Sequence, residues 1–188
     1  MNSSDSHPRH WQVIADEHLQ DCKVFDVHRV TMKSPATGEN HPFYRIESPE
    51  WVNVAALTSD DELVMIRQYR HGLRDVTLEV PGGLVDAGES PAEAAGRELL
   101  EETGYRAGRL ESLGSINPNP ALFANRVHMW VALDCECVAP IRNSSTEETT
   151  VELLPITNLG ATIRAGGIDH ALVVATLYSL ELWRSARV

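Results

Sequence analysis

A chain of 188 residues with 43% hydrophobic content is long enough for one domain with a substantial core. Its formal net charge of −11 at pH 7 argues against a nucleic-acid partner, because no excess of cations is present to displace counterions from a phosphate backbone. No apolar run reaches the roughly 18 residues of a membrane span, and the sparse, odd set Cys22, Cys135 and Cys137 fits reduced thiols in a cytoplasmic setting.

Residues 1–10, MNSSDSHPRH, lack an apolar segment and read as a disordered polar tail rather than an export signal. Residues 11–14, 23–30 and 41–46 read as strands, with Ser34-Pro35-Ala36-Thr37-Gly38 as a turn before the last. Residues 11–48 are therefore expected to form a small antiparallel β extension ahead of a main domain over residues 49–188. In that domain residues 51–58 and 62–70 form a hairpin across Ser59-Asp60-Asp61, and residues 76–80 make a strand that runs into Pro81-Gly82-Gly83. The hairpin ends in Arg67-Gln68-Tyr69-Arg70. A guanidinium fork matches phosphate oxygens bidentately, which makes Arg70, and less strongly Arg67, a substrate candidate. Glu79, next to the glycine pair, can pair with Arg70 or hydrogen-bond a metal-bound water. The two glycines let backbone approach a metal closely.

Ser90 is a good N-cap, Pro91 suits the first helical position, and Glu93 completes a capping box, so a helix starts here. Strong helix formers continue to Thr103, and Gly104 can take the left-handed conformation that closes the helix. Glu98, Glu101 and Glu102 stand at i, i+3 and i+4 and so share one face, with Ala95 and Leu99 on the buried side. Like charges at that spacing repel, so something cationic belongs among them. Arg97 can bridge to Glu101 at i+4, leaving the other carboxylates for a hard divalent ion. Oxygen-only ligands with room for water or phosphate oxygens suit Mg²⁺, with Mn²⁺ as the alternative.

Beyond the helix, residues 109–115 and 126–133 read as strands, the second with Val127, Met129 and Val131 on one face. Between them lies a proline-rich loop, Ile116-Asn117-Pro118-Asn119-Pro120-Ala121, that cannot sit mid-sheet. Residues 143–149 form a polar loop before a strand over residues 150–154. The chain closes with two helices, the first over residues 158–164 and the second capped by Asp169, with Leu172, Ala175, Leu177, Leu180 and Trp183 as its apolar positions. His28, His71, His128 and His170 are scattered and read as strand or cap residues.

Gly83, Glu89, Arg97, Glu98, Leu99, Glu101, Glu102, Gly104 and Tyr105 stand at the spacing G-x5-E-x7-R-E-L-x-E-E-x-G-Y. This resembles the Nudix box at every defining position. The resemblance implies an α/β (α+β) chain with the Nudix fold, a mixed β-sheet sandwich between helices, and a hydrolase that splits a nucleoside diphosphate linked to a further group with divalent metal and water. It implies Glu98 and Glu102 as principal metal ligands, Glu101 as a further ligand or bridge, Arg97 and Glu89 as supports, and the Gly82 carbonyl as another ligand. Arg67-Gln68-Tyr69-Arg70 and Pro120 resemble features of the ADP-ribose pyrophosphatase branch. There the arginine at the Arg70 position contacts substrate phosphate, a glutamate on the polar loop takes the proton of the attacking water, and the N-terminal extension packs across a homodimer. Glu147 and Glu148 both suit the base. Ala121-Leu122-Phe123 departs from the branch's usual P-G-small loop, and Trp11, Trp51 and Phe123 are unranked candidates to stack on a base. GDP-mannose, another nucleotide sugar, a dinucleoside polyphosphate or coenzyme A remain alternative substrates, and a nucleotide-binding module without turnover is a rival of another class.

Overall fold

The computed structural model describes residues 7–187. The expected disordered tail lies in its first six residues outside the described residues, while residues 7–10 are exposed and without regular structure. The chain divides into two compact units, one of residues up to Pro49 with Asn119–Asn125, the other of Glu50–Pro118 with the residues from Arg126 onward.

The first unit is an antiparallel sheet of β1 (Gln12–Asp21), β2 (Asp26–Lys33) and β3 (Asn40–Glu47), in that order. β1 is much longer than the expected strand over residues 11–14, since its pairing with β2 runs from Gln12 opposite Lys33 to Asp21 opposite Asp26. Its second half has no apolar alternation to read. It is held instead by cross-strand polar pairs, His18 with Asp26 at 3.0 Å, His28 with Asp16 at 2.8 Å, and Arg29 with Glu17. Pro42 is tolerated because β3 is an edge strand. The proline-rich loop also does more than connect: Ile46 N–H donates to Leu122 O at 2.7 Å and Ala124 N–H to Ile46 O at 3.1 Å.

In the second unit, β4 (Trp51–Ala56), β5 (Glu62–Arg70), β6 (Asp75–Glu79) and β7 (Gly82–Leu84) precede α1 (Pro91–Thr103). After it come β8 (Tyr105–Arg106), β9 (Arg109–Ile116), β10 (Val127–Leu133), β11 (Glu136–Cys137) and β12 (Thr149–Pro155). A 3-10 turn, Ile156–Asn158, leads into α2 (Leu159–Arg164) and α3 (Ala171–Ser185). One sheet has the order β7-β4-β10-β9, with β10 parallel to β4 and the other pairs antiparallel; a second has the order β12-β5-β6, and β11 pairs with β8.

β4 and β5 are buried on both faces, which is why they read as apolar runs rather than alternations. Val52, Val54, Ala56 and Val64 pack with Ala94, Ala95 and Leu99 of α1, while Ala55, Leu57, Leu63 and Met65 pack with Val173, Leu177 and Leu180 of α3. Successive strand residues thus serve opposite helices, and the mixed sheets lie sandwiched between them. Val127, Met129 and Val131 are all buried.

Two details of α3 differ from the sequence reading. The cap position is held by His170, in extended backbone and without a side-chain cap bond, rather than by Asp169. The fully buried stripe is Val173, Thr176, Leu177 and Leu180, with Leu172 and Ala175 only half-buried. Thr176 can be buried because its hydroxyl donates to Leu172 O at 2.8 Å and accepts from Asn53 Nδ2 at 3.1 Å. Among the described residues, no helix is long and apolar enough to cross a membrane.

Candidate active site

Helix α1 is fixed at both ends, and that fixes its acidic face. Ser90 Oγ accepts from Glu93 N–H at 3.3 Å while a Glu93 carboxylate oxygen accepts from Ser90 N–H at 2.8 Å, closing the capping box. Gly104 ends the helix at φ 76°, with its N–H on Leu100 O at 2.9 Å. Between these ends, Ala95 and Leu99 are buried in the core, Glu102 reaches Gly82 and Glu98 lies over Gly83, while Glu101 turns to Arg97.

Glu102 is 3% exposed and accepts a hydrogen bond from Gly82 N–H at 2.8 Å. Burial pushes its carboxyl up to about 8, with the charges of Glu98 and Glu147 adding to the effect. Burial also raises Glu98, against the opposing pull of Arg97. Glu98 lies over Gly83, where a Cβ would come within 2.3 Å of its carboxylate. Arg97 organises the rest. It donates to Glu89 from Nε and Nη2 at 3.0 and 2.9 Å, to Leu84 O at 2.9 Å, to Glu98 at 2.8 Å and to Glu101 at 3.3 Å. Its bond holds Glu89 below the ordinary carboxylate range. The expected bridge to Glu101 is therefore present, as the longest of five bonds, of which the three to Glu89 and Leu84 tie α1 to the strand and loop before it.

Two half-buried or buried carboxylates that burial drives toward protonation have the chemistry to serve a hard divalent cation, whose charge would offset theirs beyond what Arg97 supplies. Among the described residues, no three histidine, cysteine, aspartate or glutamate side chains are already gathered as a metal cage. Glu98 and Glu101 are turned to Arg97 and Glu102 to Gly82, so these carboxylates are engaged by donors of the chain itself rather than gathered on a shared point. That fits an ion bound by few protein ligands together with substrate oxygens. Cys135 is buried and Cys137 exposed.

Arg70 ends β5 beside this region. Its Nε and Nη2 each donate at 2.7 Å to Glu79, the pairing that is one of the two roles open to that residue. Glu79 also accepts from Thr77 Oγ1 at 2.5 Å, and His170 Nδ1 stands 3.7 Å away. The charges of Glu102 and Glu147 act on Arg70, so it faces the acidic cluster. Arg67 does not join it, because it donates to Glu152 at 2.6 Å on an exposed part of the sheet. Of the two loop glutamates, Glu147 is the one whose charge acts on Glu98, Glu102 and Arg70; it accepts from Ser144 Oγ at 2.9 Å. Glu148 is exposed.

The stacking candidates divide between the units. Trp51 opens β4 in the second unit. In the first, Trp11 meets Phe43 edge-on at 5.5 Å, and Pro120 and Phe123 line a hollow of about 330 Å³ with Val30, Met32, Phe43 and Arg45. Thr77, Thr149 and His170 are missed by sequence reasoning, since a lone threonine in a strand or a histidine before a helix carries no spacing signal.

A family model described as NUDIX domain matches residues 49–175. The ADP-ribose pyrophosphatase of Bacillus subtilis (strain 168) is 30% identical over 146 residues, 78% of each chain. That of Mycobacterium tuberculosis (strain ATCC 25618 / H37Rv) is 26% identical over 173 residues, covering 91% of this chain and 83% of the relative. A crystal structure of an ADP compounds hydrolase superposes with a TM-score of 0.86 at 25% identity, covering 97% of this chain and 98% of that one.

Proposed function

The chain belongs to the Nudix family, in its ADP-ribose pyrophosphatase-like branch, and is a hydrolase of pyrophosphate bonds; from that premise we propose that it cleaves ADP-ribose to AMP and ribose 5-phosphate with Mg²⁺. The observation that carries the reading is the placement of two buried or half-buried carboxylates of α1 on the glycine pair, Glu102 on Gly82 N–H and Glu98 over Gly83, together with Arg70 clamped by the buried Glu79. Nudix hydrolases act on small nucleoside diphosphate derivatives, and the relatives' names point to ADP-linked ones.

Glu98 and Glu102, with Glu101 and the Gly82 carbonyl, would hold the metal. Bound there, a divalent cation neutralises phosphoryl oxygens and acidifies the attacking water. Arg70 aims its free N–H groups at the diphosphate and holds it in line for attack. Glu147 accepts the water's proton as the new O–P bond forms and the bridging P–O bond breaks, its electrons leaving with the departing phosphate. Arg97 keeps Glu98 and Glu101 from collapsing into the loop. In the first unit, exposed Trp11, Val13, Ile14 and Leu19 lie on or next to the edge strand β1, which supports a homodimer in which this sheet is covered.

Incubation of the purified protein with Mg²⁺ and ADP-ribose, GDP-mannose, NADH or diadenosine polyphosphates, followed by chromatography of the products, tests the reading. AMP and ribose 5-phosphate from ADP-ribose are expected to dominate. Faster turnover of GDP-mannose would move the substrate to nucleotide sugars, and no cleavage of any compound would favour a binding module. Light scattering of the eluted protein decides the dimer.

A further inference from the structure

The loop that carries Glu147 is tied at both ends to the last turn of α1, the turn that also carries Glu101 and Glu102. On the entering side, Val138 and Ala139 N–H donate to Gly104 O at 2.9 and 3.2 Å, and Arg142 N–H donates to Glu101 O at 2.8 Å. On the leaving side a side chain makes the tie: Thr149 Oγ1 donates to Glu102 O at 2.7 Å. The last carbonyls of any helix need outside donors, and water or a glycine motif usually provides them. Here the donor stands two residues past Glu147, and the acceptor is the carbonyl of the very residue whose carboxylate lies against Gly82.

Thr149 is 5% exposed, so little water can replace the bond if its hydroxyl is removed. The hydroxyl has one hydrogen, which goes to Glu102 O. Asn143 Oδ1 lies 3.1 Å from the same hydroxyl, a second and longer acceptor for its single hydrogen. One side chain thus closes the neck of the loop, residue 143 to residue 149, and fastens the neck to α1. Residues 144–148 between them are exposed, and Glu147 is otherwise held by the Ser144 hydroxyl.

We propose that Thr149 is a positioning residue for hydrolysis, which sets the separation between Glu147 and the carboxylates of Glu98 and Glu102. The proposal rests on Glu147 being the group that takes the water's proton. A proton acceptor must lie within hydrogen-bond reach of the attacking water, and a shift on the order of 1 Å costs about a hundredfold in rate. A loop with five exposed residues has few other means of holding that distance.

The test compares T149V, which deletes the hydroxyl at nearly constant volume, T149S, which keeps it, and E147Q, alone and combined with T149V, using ADP-ribose and Mg²⁺, with thermal melting recorded for each. T149V is expected to lower kcat by about 10–100-fold with KM within about twofold, and T149S to restore kcat to within about twofold of the parent. In the E147Q background T149V should cost nothing further in kcat, because the group it positions is gone. Equal losses in both backgrounds, or a T149V protein with a lower melting temperature and parental kcat, would overturn the positioning role while leaving Glu147 as base. Parental kcat in E147Q would remove the base and the proposal with it. If T149V does not fold, Thr149→Ala removes the same hydroxyl and carries the comparison.

Discussion

Arg70 meets Glu79 through one whole edge of its guanidinium, Nε and Nη2 on the two carboxylate oxygens at 2.7 Å each. Glu79 is 2% exposed while 42% of the Arg70 side chain is open to solvent. The pair is therefore polarised: its buried half orients, and its open half, Nη1 and the outer hydrogen of Nη2, is left to contact a ligand.

Glu79→Gln breaks that bidentate clamp, since an amide offers one acceptor oxygen where the carboxylate offers two. KM for ADP-ribose should rise about 10–100-fold, the range for a hydrogen bond to a charged group, with a smaller change in kcat. The stability effect has a defined pH dependence. Burial works to raise the Glu79 carboxyl, but the bonds from Arg70 and Thr77 outweigh it and hold the group below the ordinary carboxylate range. A depressed folded-state value means the contribution is fully present above the unfolded value of about 4.3 and fades as pH falls through the folded value. Melting curves of the two proteins should thus differ at pH 7, with the difference narrowing as pH falls below the unfolded value of about 4.3. A difference that persists unchanged at pH 3 would show that the carboxylate form is not what stabilises the fold.

Metal binding predicts an increment of stability that depends on Glu102. Anything that binds the folded state alone raises the melting temperature with concentration, so millimolar Mg²⁺ should raise that of the parent and chelator should return it. Glu102→Gln keeps an acceptor for Gly82 N–H and removes a buried charge, so the variant should fold at least as stably without metal. It should gain nothing from Mg²⁺ and lose turnover by about 10²–10³-fold. Equal Mg²⁺ shifts in parent and variant would take Glu102 out of the metal site.

What the sequence displays and what it hides divide along a physical line. Helix α1 is legible because its cap, its stop and its acidic face all follow from local spacing, and β5 is legible from its apolar run. The long β1 is hidden because its second half is held by cross-strand ion pairs, which have no period. Thr77 and Thr149 are hidden because each acts through a single hydroxyl that carries no spacing signal, on Glu79 two residues along the same strand for the first and on Glu102 47 positions away for the second.

The cysteines give a simple check of packing in the second unit. Burial pushes the Cys135 thiol up to about 12, whereas Cys137, two residues on, is exposed. The thiolate is the reactive form, so a disulfide reagent at pH 8 should modify Cys137 in the native protein and leave Cys135 untouched until denaturant is added. Mass spectrometry of the labelled peptides reads this directly. Fast modification of both would mean that β11 and the end of β10 open on the timescale of the reaction.

Gly82 and Gly83 are adjacent, yet alanine should harm them in opposite ways. A Cβ at Gly83 would lie 2.3 to 2.9 Å from the carboxylate atoms of Glu98, the far end of a side chain that can swing aside. G83A should therefore fold with a melting temperature close to the parent's, but with Glu98 displaced toward Arg97, Mg²⁺ affinity weakened and kcat lowered by about 10–100-fold. At Gly82 the clash is with Val52 O at 2.2 Å, a backbone atom of β4 that cannot move without disturbing the β4–β7 pairing. Overpacking of that kind costs about 1–3 kcal/mol, or roughly 2–12 °C in melting temperature for a chain of this size. Melting and steady-state kinetics on the two variants separate the effects. A G83A protein with parental kcat and Mg²⁺ dependence would show that Glu98 need not stand over Gly83 for the reaction to run.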